Sequence, residues 1–191
     1  MKSSTRYRLK LAVAAGLAVA TTVGASMAAL ALSRPDSAVG FAADLAQVHE
    51  ARADRTGGAV AMAETRAALA QAPMNAAHWA RLSWLERQAA GAMTPEAMKA
   101  LERSYAVAPY GPDVTDWRLA FAFEQWSQLD PSLRMLAMDE LRTLSRHRPG
   151  RARTLVGSIR SPGGRMAARL TFNVGDREGR LARQAKAGAA T

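Results

Sequence analysis

Apolar positions along the chain recur at helical spacing, and prolines and glycines cut them into segments. Phe41, Leu45 and Val48 share one helical face, and Gly57-Gly58 ends that segment. A second helix is predicted over 59–72, stopped by Pro73. Asn75 is placed to cap a third that ends near Gly91. Thr94-Pro95-Glu96 supplies a cap, a first-turn proline and an acid matched to the helix dipole, so a fourth helix runs from there towards Pro109. Pro112-Asp113 opens a fifth. Asp130-Pro131 opens a sixth, with Leu133, Leu136, Leu141 and Leu144 on one stripe, and Pro149-Gly150 closes it. A brief helix is predicted over 153–159, after which Ser161-Pro162-Gly163-Gly164 breaks the chain. Residues 169–174 are the one strand candidate, and that stretch is short. The pattern predicts an all-α protein.

Ahead of these segments lies a different one. Residues 11–32 carry no charge. As a helix they would span roughly 33 Å, against about 30 Å of bilayer hydrocarbon. Lys2, Arg6, Arg8 and Lys10 precede the run and Arg34 is the first charge after it, which sets residues 1–10 in the cytoplasm and the body across the membrane. The alternative is a cleaved signal peptide, since Ala29-Leu30-Ala31 fits a small-x-small cleavage site. Gly16, Ala20, Gly24 and Ala28 stand four apart, a spacing that lets membrane helices pair, although an alanine-rich run produces such rows by chance.

Charge sharpens the division. The net +10 resolves into +4 over residues 1–10, −4 over 33–141 and +10 over 142–191. The body is mildly acidic and the excess sits at the ends. Residues 33–58 read as a linker and first helix, 59–160 as the helical domain, with 41–160 expected to fold alone. Residues 161–191 are rich in Arg, Ala and Gly with little to bury, and are expected to be disordered or to form a lone amphipathic turn.

The body repeats itself weakly. Leu69-Ala70-Gln71-Ala72-Pro73 leads to Trp79, and Tyr105-Ala106-Val107-Ala108-Pro109 leads to Trp117; the prolines are 36 apart and the tryptophans 38. Helix pairs of this period stack because one pair cannot bury its own apolar face. The stretch 59–149 resembles the tetratricopeptide family. Trp79 and Leu82 match the W-x-x-L opening, and Ala97, Leu101 and Pro109 match the later small, large and proline positions with two extra residues between the helices. Trp117, Ala137, Leu141, Leu144 and Pro149 give a poorer second unit, and Ser83 and Glu86 stand where the family has glycine and tyrosine. The resemblance implies a short stack of helix pairs, with Trp79, Leu82, Ala97, Leu101, Pro109 and Trp117 as packing positions. A looser resemblance, carried by the stretch 104–113, Leu129-Asp130-Pro131 and Glu140-Leu141-Arg142, is to short anchored envelope proteins that accompany bacterial exopolysaccharide or capsule assembly.

Candidate chemistry is sparse. The chain has no cysteine, which excludes a disulfide framework and thiolate ligation. His49, His78 and His147 stand at no metal-ligand spacing, and His78 reads as a surface or groove residue. Asp113/Asp116 lie at a helix start, where the dipole alone favours them, and Asp139/Glu140 lie beside Arg142. No phosphate loop, nucleophile elbow or H-E-x-x-H is present. No enzyme, metal or cofactor is expected. Trp84, Tyr105, Tyr110 and Trp126 are the candidate partner contacts. The expected function is a scaffold or adaptor on the periplasmic side of the inner membrane, anchored by 11–32 and binding an envelope protein. The alternative is an accessory protein whose basic tail binds anionic lipid or acidic polysaccharide; nucleic acid is not expected beyond an export signal.

Overall fold

A computed structural model describes residues 17, 21–37 and 45–189, and their regular secondary structure is all helical, without a strand. Residues 1–16, 18–20, 38–44, 190 and 191 lie outside the described residues, and with them Gly16, Ala20, Phe41 and nine residues of the predicted anchor. Residues 21–33 are helical, and no described helix is long and apolar enough to cross a membrane. The chain divides into two compact units, Met1–Gln71 and Ala72–Thr191.

In the first unit α1 (Ala46–Arg55) packs on α2 (Gly58–Gln71). Gly58 takes φ +57°, a backbone region that favours glycine and lets the two helices follow each other closely. Val48 and Ala53 are buried, and so is Arg52, whose Nε donates to the Pro35 carbonyl at 2.9 Å. Glu64 on α2 faces both His49 (2.5 Å) and Arg52 (3.7 Å) on α1. The unit is therefore pinned by a carboxylate between two basic side chains as well as by its small apolar core.

The second unit holds α3 (Ala76–Ala90), α4 (Pro95–Val107), α5 (Thr115–Glu124), a 3-10 turn (Trp126–Gln128), α6 (Pro131–His147), α7 (Pro149–Ser158) and α8 (Pro162–Gly188). The capping residues act as their chemistry dictates. The Asn75 side chain accepts from Ala77 and His78, Thr94 from Ala97, and Asp130 from Leu133. That last bond, with one from Ser132, holds the Asp130 carboxyl below its usual range. Gly91 ends α3 in the left-handed conformation (φ 75°). Leu101, Leu119, Phe123, Leu133 and Leu141 form the middle of the core.

The C-terminal segment departs from the sequence expectation. In place of a chain break, Ser161 caps α8 by accepting from Gly164, with Pro162 in the first turn. In place of disorder, α8 runs 27 residues and packs on α5, α6 and α7. Residues 169–174, the strand candidate, are its middle. Pro149 likewise opens α7 and does not merely close α6. The domain therefore extends past residue 160: Ala168 is buried in the core and Phe172 packs against it. At the other end the second unit starts at Ala72, so α2 belongs with α1.

The reason is close approach. Gly164, Ala168, Gly175 and Gly179 lie on one stripe of α8, all buried. A Cβ on Gly164 would overlap the Phe123 carbonyl of α5. One on Gly175 would lie 2.5 Å from the Arg142 carbonyl, and one on Gly179 2.5 Å from the Arg146 carbonyl. Here glycine gives up helix propensity, about 1 kcal/mol per residue, so that backbone can lie against backbone. Glu178 then bridges Arg142 and Arg146 of α6, and these two guanidiniums hold its carboxyl at about 2, below its ordinary 4.5.

Gly175→Ala should therefore destabilise the protein by about 1–3 kcal/mol through overpacking, read as a lower Tm by circular dichroism. A neutral or raised Tm, the outcome that helix propensity alone dictates, would show that the close approach is not made. Glu178 gives a pH signature. Its pKa is depressed on folding, so its contribution is full above about 4.5 and lost as pH falls towards 2. The Tm gap between wild type and Glu178→Gln should be present at neutral pH and close over that window. A gap that persists at the acid end would mean the two arginines do not hold it.

Candidate functional site

Ionisable groups converge at one place in the second unit. Arg118 on α5 is fully buried and Glu140 on α6 nearly so. Arg118 Nη2 donates to Glu140 Oε1 at 2.5 Å and its Nε to Oε2 at 3.2 Å. Thr115 Oγ1 donates to Glu140 at 2.7 Å. The remaining guanidinium protons go to the Ser104 carbonyl and hydroxyl and to the Pro109 carbonyl, at 3.0–3.2 Å. The Tyr105 ring lies 4.0 Å from the guanidinium carbon, a cation–π contact. Ser104 Oγ donates in turn to the Ala76 carbonyl at 2.8 Å. Burial pushes the Glu140 carboxyl up while Arg118 and Thr115 pull it down, and burial beside Glu140 pushes the Tyr105 phenol well up. Each proton donor on Arg118 is matched to a fixed acceptor, so the cluster joins helices.

A depression of about 170 Å³ opens over Glu140, lined by Tyr110, Thr115, Thr143, His147, Arg148 and Arg151 among others. Two of its rim groups, Tyr110 and Arg151, are engaged with neighbouring acids. Tyr110 donates to Asp139 at 2.6 Å, and Arg151 Nε lies 2.7 Å from Asp116 and its Nη2 donates to the Pro112 carbonyl. No three His, Asp or Glu side chains among the described residues could hold a metal ion.

A larger concavity, about 610 Å³, runs between α3 and α4. Trp79, Leu82, Ala100 and Ala106 line it with apolar surface, and Glu86, Glu96, Lys99, Glu102 and Arg103 bring charge to it. The Trp79 indole N–H donates to the Pro73 carbonyl at 2.8 Å, which fixes the ring. A rigid aromatic beside small residues, rimmed by both signs of charge, matches a surface for an amphipathic helix.

The candidate contacts named from sequence fall in different environments. Tyr105 is 2% exposed, so it is an interior residue, held there by the Arg118 guanidinium and not available to a partner. Tyr110 is exposed. Trp84 and Trp126 are partly buried against the core, Trp126 stacked on Phe123 at 5.1 Å. Among the repeat positions, Leu82, Ala97 and Leu101 are buried, whereas Trp117 is 43% exposed and stacks on Phe121 at 5.3 Å. Pro109 is exposed and serves through its carbonyl. His78, read as a surface residue, is buried with Nε2 3.4 Å from the Asn75 amide. Sequence reasoning missed the pairing of Arg118 with Glu140 and the role of Trp79 as groove floor. For the groove, the signal available was small residues, Ala100 and Ala106, on the helix that follows Trp79. Comparison of the chain with protein-family models, with curated proteins and with solved structures finds no match.

Removing one partner of the buried pair is expected to cost about 3–5 kcal/mol. Arg118→Met alone and Glu140→Leu alone should each lower stability by that order in chemical denaturation, and the double substitution should recover much of the loss. If the double variant is as unstable as the sum of the singles, the two charges do not depend on each other.

Proposed function

We propose that the protein is a membrane-anchored, periplasm-facing helical scaffold that holds an amphipathic helix of an envelope protein in the groove between α3 and α4. The observation that carries this reading is the groove itself: a fixed indole and small apolar side chains, with Glu86 on α3 and four charged side chains on α4 around them. Apolar residues one helical turn apart on the partner would cover Trp79 and Leu82, and its flanking polar residues would meet Glu86, Glu96, Lys99, Glu102 and Arg103. Recognition of that kind is specific because both signs of charge must be matched along the rim. The uncharged run at 11–32, with basic residues before it, supplies the anchor and the orientation.

The helix pairs α3/α4 and α5/α6 are read as two degenerate tetratricopeptide-like units. Burial of Leu82, Ala97 and Leu101 supports the first, and the exposed Trp117 makes the second a poorer copy. Envelope polysaccharide assembly is the setting suggested by the looser sequence resemblance.

A photo-crosslinking residue in place of the exposed Ala106, in the full chain in intact cells, is expected to trap one envelope protein. With that partner purified, Trp79→Ala should weaken binding at least tenfold, roughly 1.4 kcal/mol or more, while leaving far-ultraviolet circular dichroism unchanged. Binding that is indifferent to Trp79→Ala but lost on Trp84→Ala plus Trp126→Ala would move the contact surface elsewhere on the unit and overturn the groove reading.

A further inference from the structure

α8 has a second face, opposite the one that packs. Met166, Leu170, Val174 and Leu181 stand at i, i+4, i+8 and i+15, which is one side of a helix. Their exposures are 65%, 61%, 49% and 56%, while the opposite side of the helix is seated from Gly164 to Gly179. Three large apolar side chains one turn apart, and a fourth two turns further on past Arg177, are thus left in water over about 22 Å. Beside them are the exposed Arg169 and Arg177, which make no ion pair among the described residues. The two acids of α8 do not balance them: Asp176 is buried and paired with Arg180, and Glu178 is taken by Arg142 and Arg146.

We infer that this outer face of α8 lies in the surface of an anionic phospholipid bilayer, with Met166, Leu170, Val174 and Leu181 among the upper acyl chains and Arg169 and Arg177 at the headgroup phosphates. The charge on the face selects this occupant. A second copy would have to bring the same stripe against itself. A two-fold pairing that matched Met166 to Leu181 would set Arg169 close to Arg177 of the other copy, and like charges at such a seam repel. A soluble acidic polysaccharide would meet the arginines and leave the apolar row in water. An anionic bilayer surface satisfies both, because an interfacial helix buries its apolar face while cationic side chains gain from lipid phosphates. The inference does not rest on the groove between α3 and α4, and no residue is shared between the two surfaces.

The chain lacks cysteine, so a single nitroxide label can be placed at will. The full chain carrying Leu170→Cys, or Glu102→Cys as a reference on a different helix, is reconstituted in vesicles of phosphatidylcholine alone or of phosphatidylcholine with phosphatidylglycerol. Collisional accessibility to oxygen and to a water-soluble nickel chelate gives the depth of each label. In the anionic vesicles the label at 170 is expected about 5–10 Å inside the headgroup–acyl boundary, with the label at 102 in water. Arg169→Glu plus Arg177→Glu should return the label at 170 to water with the helical content unchanged. A label at 170 that stays as water-accessible as that at 102 overturns the inference. So does protection that is equal in both vesicle types and survives the charge reversal, and spin–spin broadening in that case would identify a second copy as the occupant.

Discussion

The buried guanidinium of Arg118 is the constraint on which the second unit is organised. Removing a charge from water costs several kcal/mol unless every donor is matched, and here the matching groups come from four places in the chain. Glu140 and Thr115 supply the counter-charge and its support, Ser104 and Pro109 supply carbonyls from the end of α4 and the turn beyond, and Tyr105 supplies the ring. Ser104 also reaches the first turn of α3. A shift of any one of these helices would strand a buried proton donor or a carboxylate. Apolar packing tolerates small slides, whereas a guanidinium with fixed acceptors does not, so this cluster sets the register of α3 to α6 and with it the width of the groove between α3 and α4.

α8 is held by a different device. Its glycines let backbone meet backbone on α5 and α6, and dispersion between closely packed atoms replaces the side-chain burial that the segment lacks. The basic excess of residues 142–191 would oppose that docking if it were concentrated at the seam. It is relieved there by Glu178 between Arg142 and Arg146, and Arg169 and Arg177 project away from it. The same segmental charge is therefore compatible with a folded helix because of where its few acids stand.

These two devices also explain what could be read in advance. Helix starts at Asn75, Thr94 and Asp130 were legible because capping is local: the acceptor lies within three residues of the donor it satisfies. The all-helical class was legible from spacing. The Arg118–Glu140 pair was not, since it joins residues 22 apart through the fold, and a sequence holding many arginines and carboxylates does not mark which two meet. Tyr105 was misread for the same reason, because its ring is buried by a partner that the local sequence does not reveal. α8 was misread for the opposite reason. Pro162-Gly163-Gly164 and the later glycines are breakers by local propensity, and only the facing carbonyls of Phe123, Arg142 and Arg146 turn Gly164, Gly175 and Gly179 into contact positions.

The groove and the outer face of α8 differ in the sign pattern they present, and that difference separates the roles proposed for them. The groove carries both signs, Glu86, Glu96 and Glu102 with Lys99 and Arg103, so a partner whose charges are complementary loses matched pairs when it slides or reverses. On the proposed function, such a pattern would select a particular partner and a particular direction. The α8 face offers only cations among its charges, beside exposed apolar side chains, so many translational and rotational positions on an anionic surface would be equivalent. That pattern selects a phase and not an individual molecule. If both proposals hold, such a chain would present one protein at a defined orientation to a membrane plane, with α8 defining the plane and the groove defining the partner. In such an arrangement the contribution of α8 to capture is the restriction of the search to the membrane surface, an effective-concentration gain that needs no direct contact with the partner.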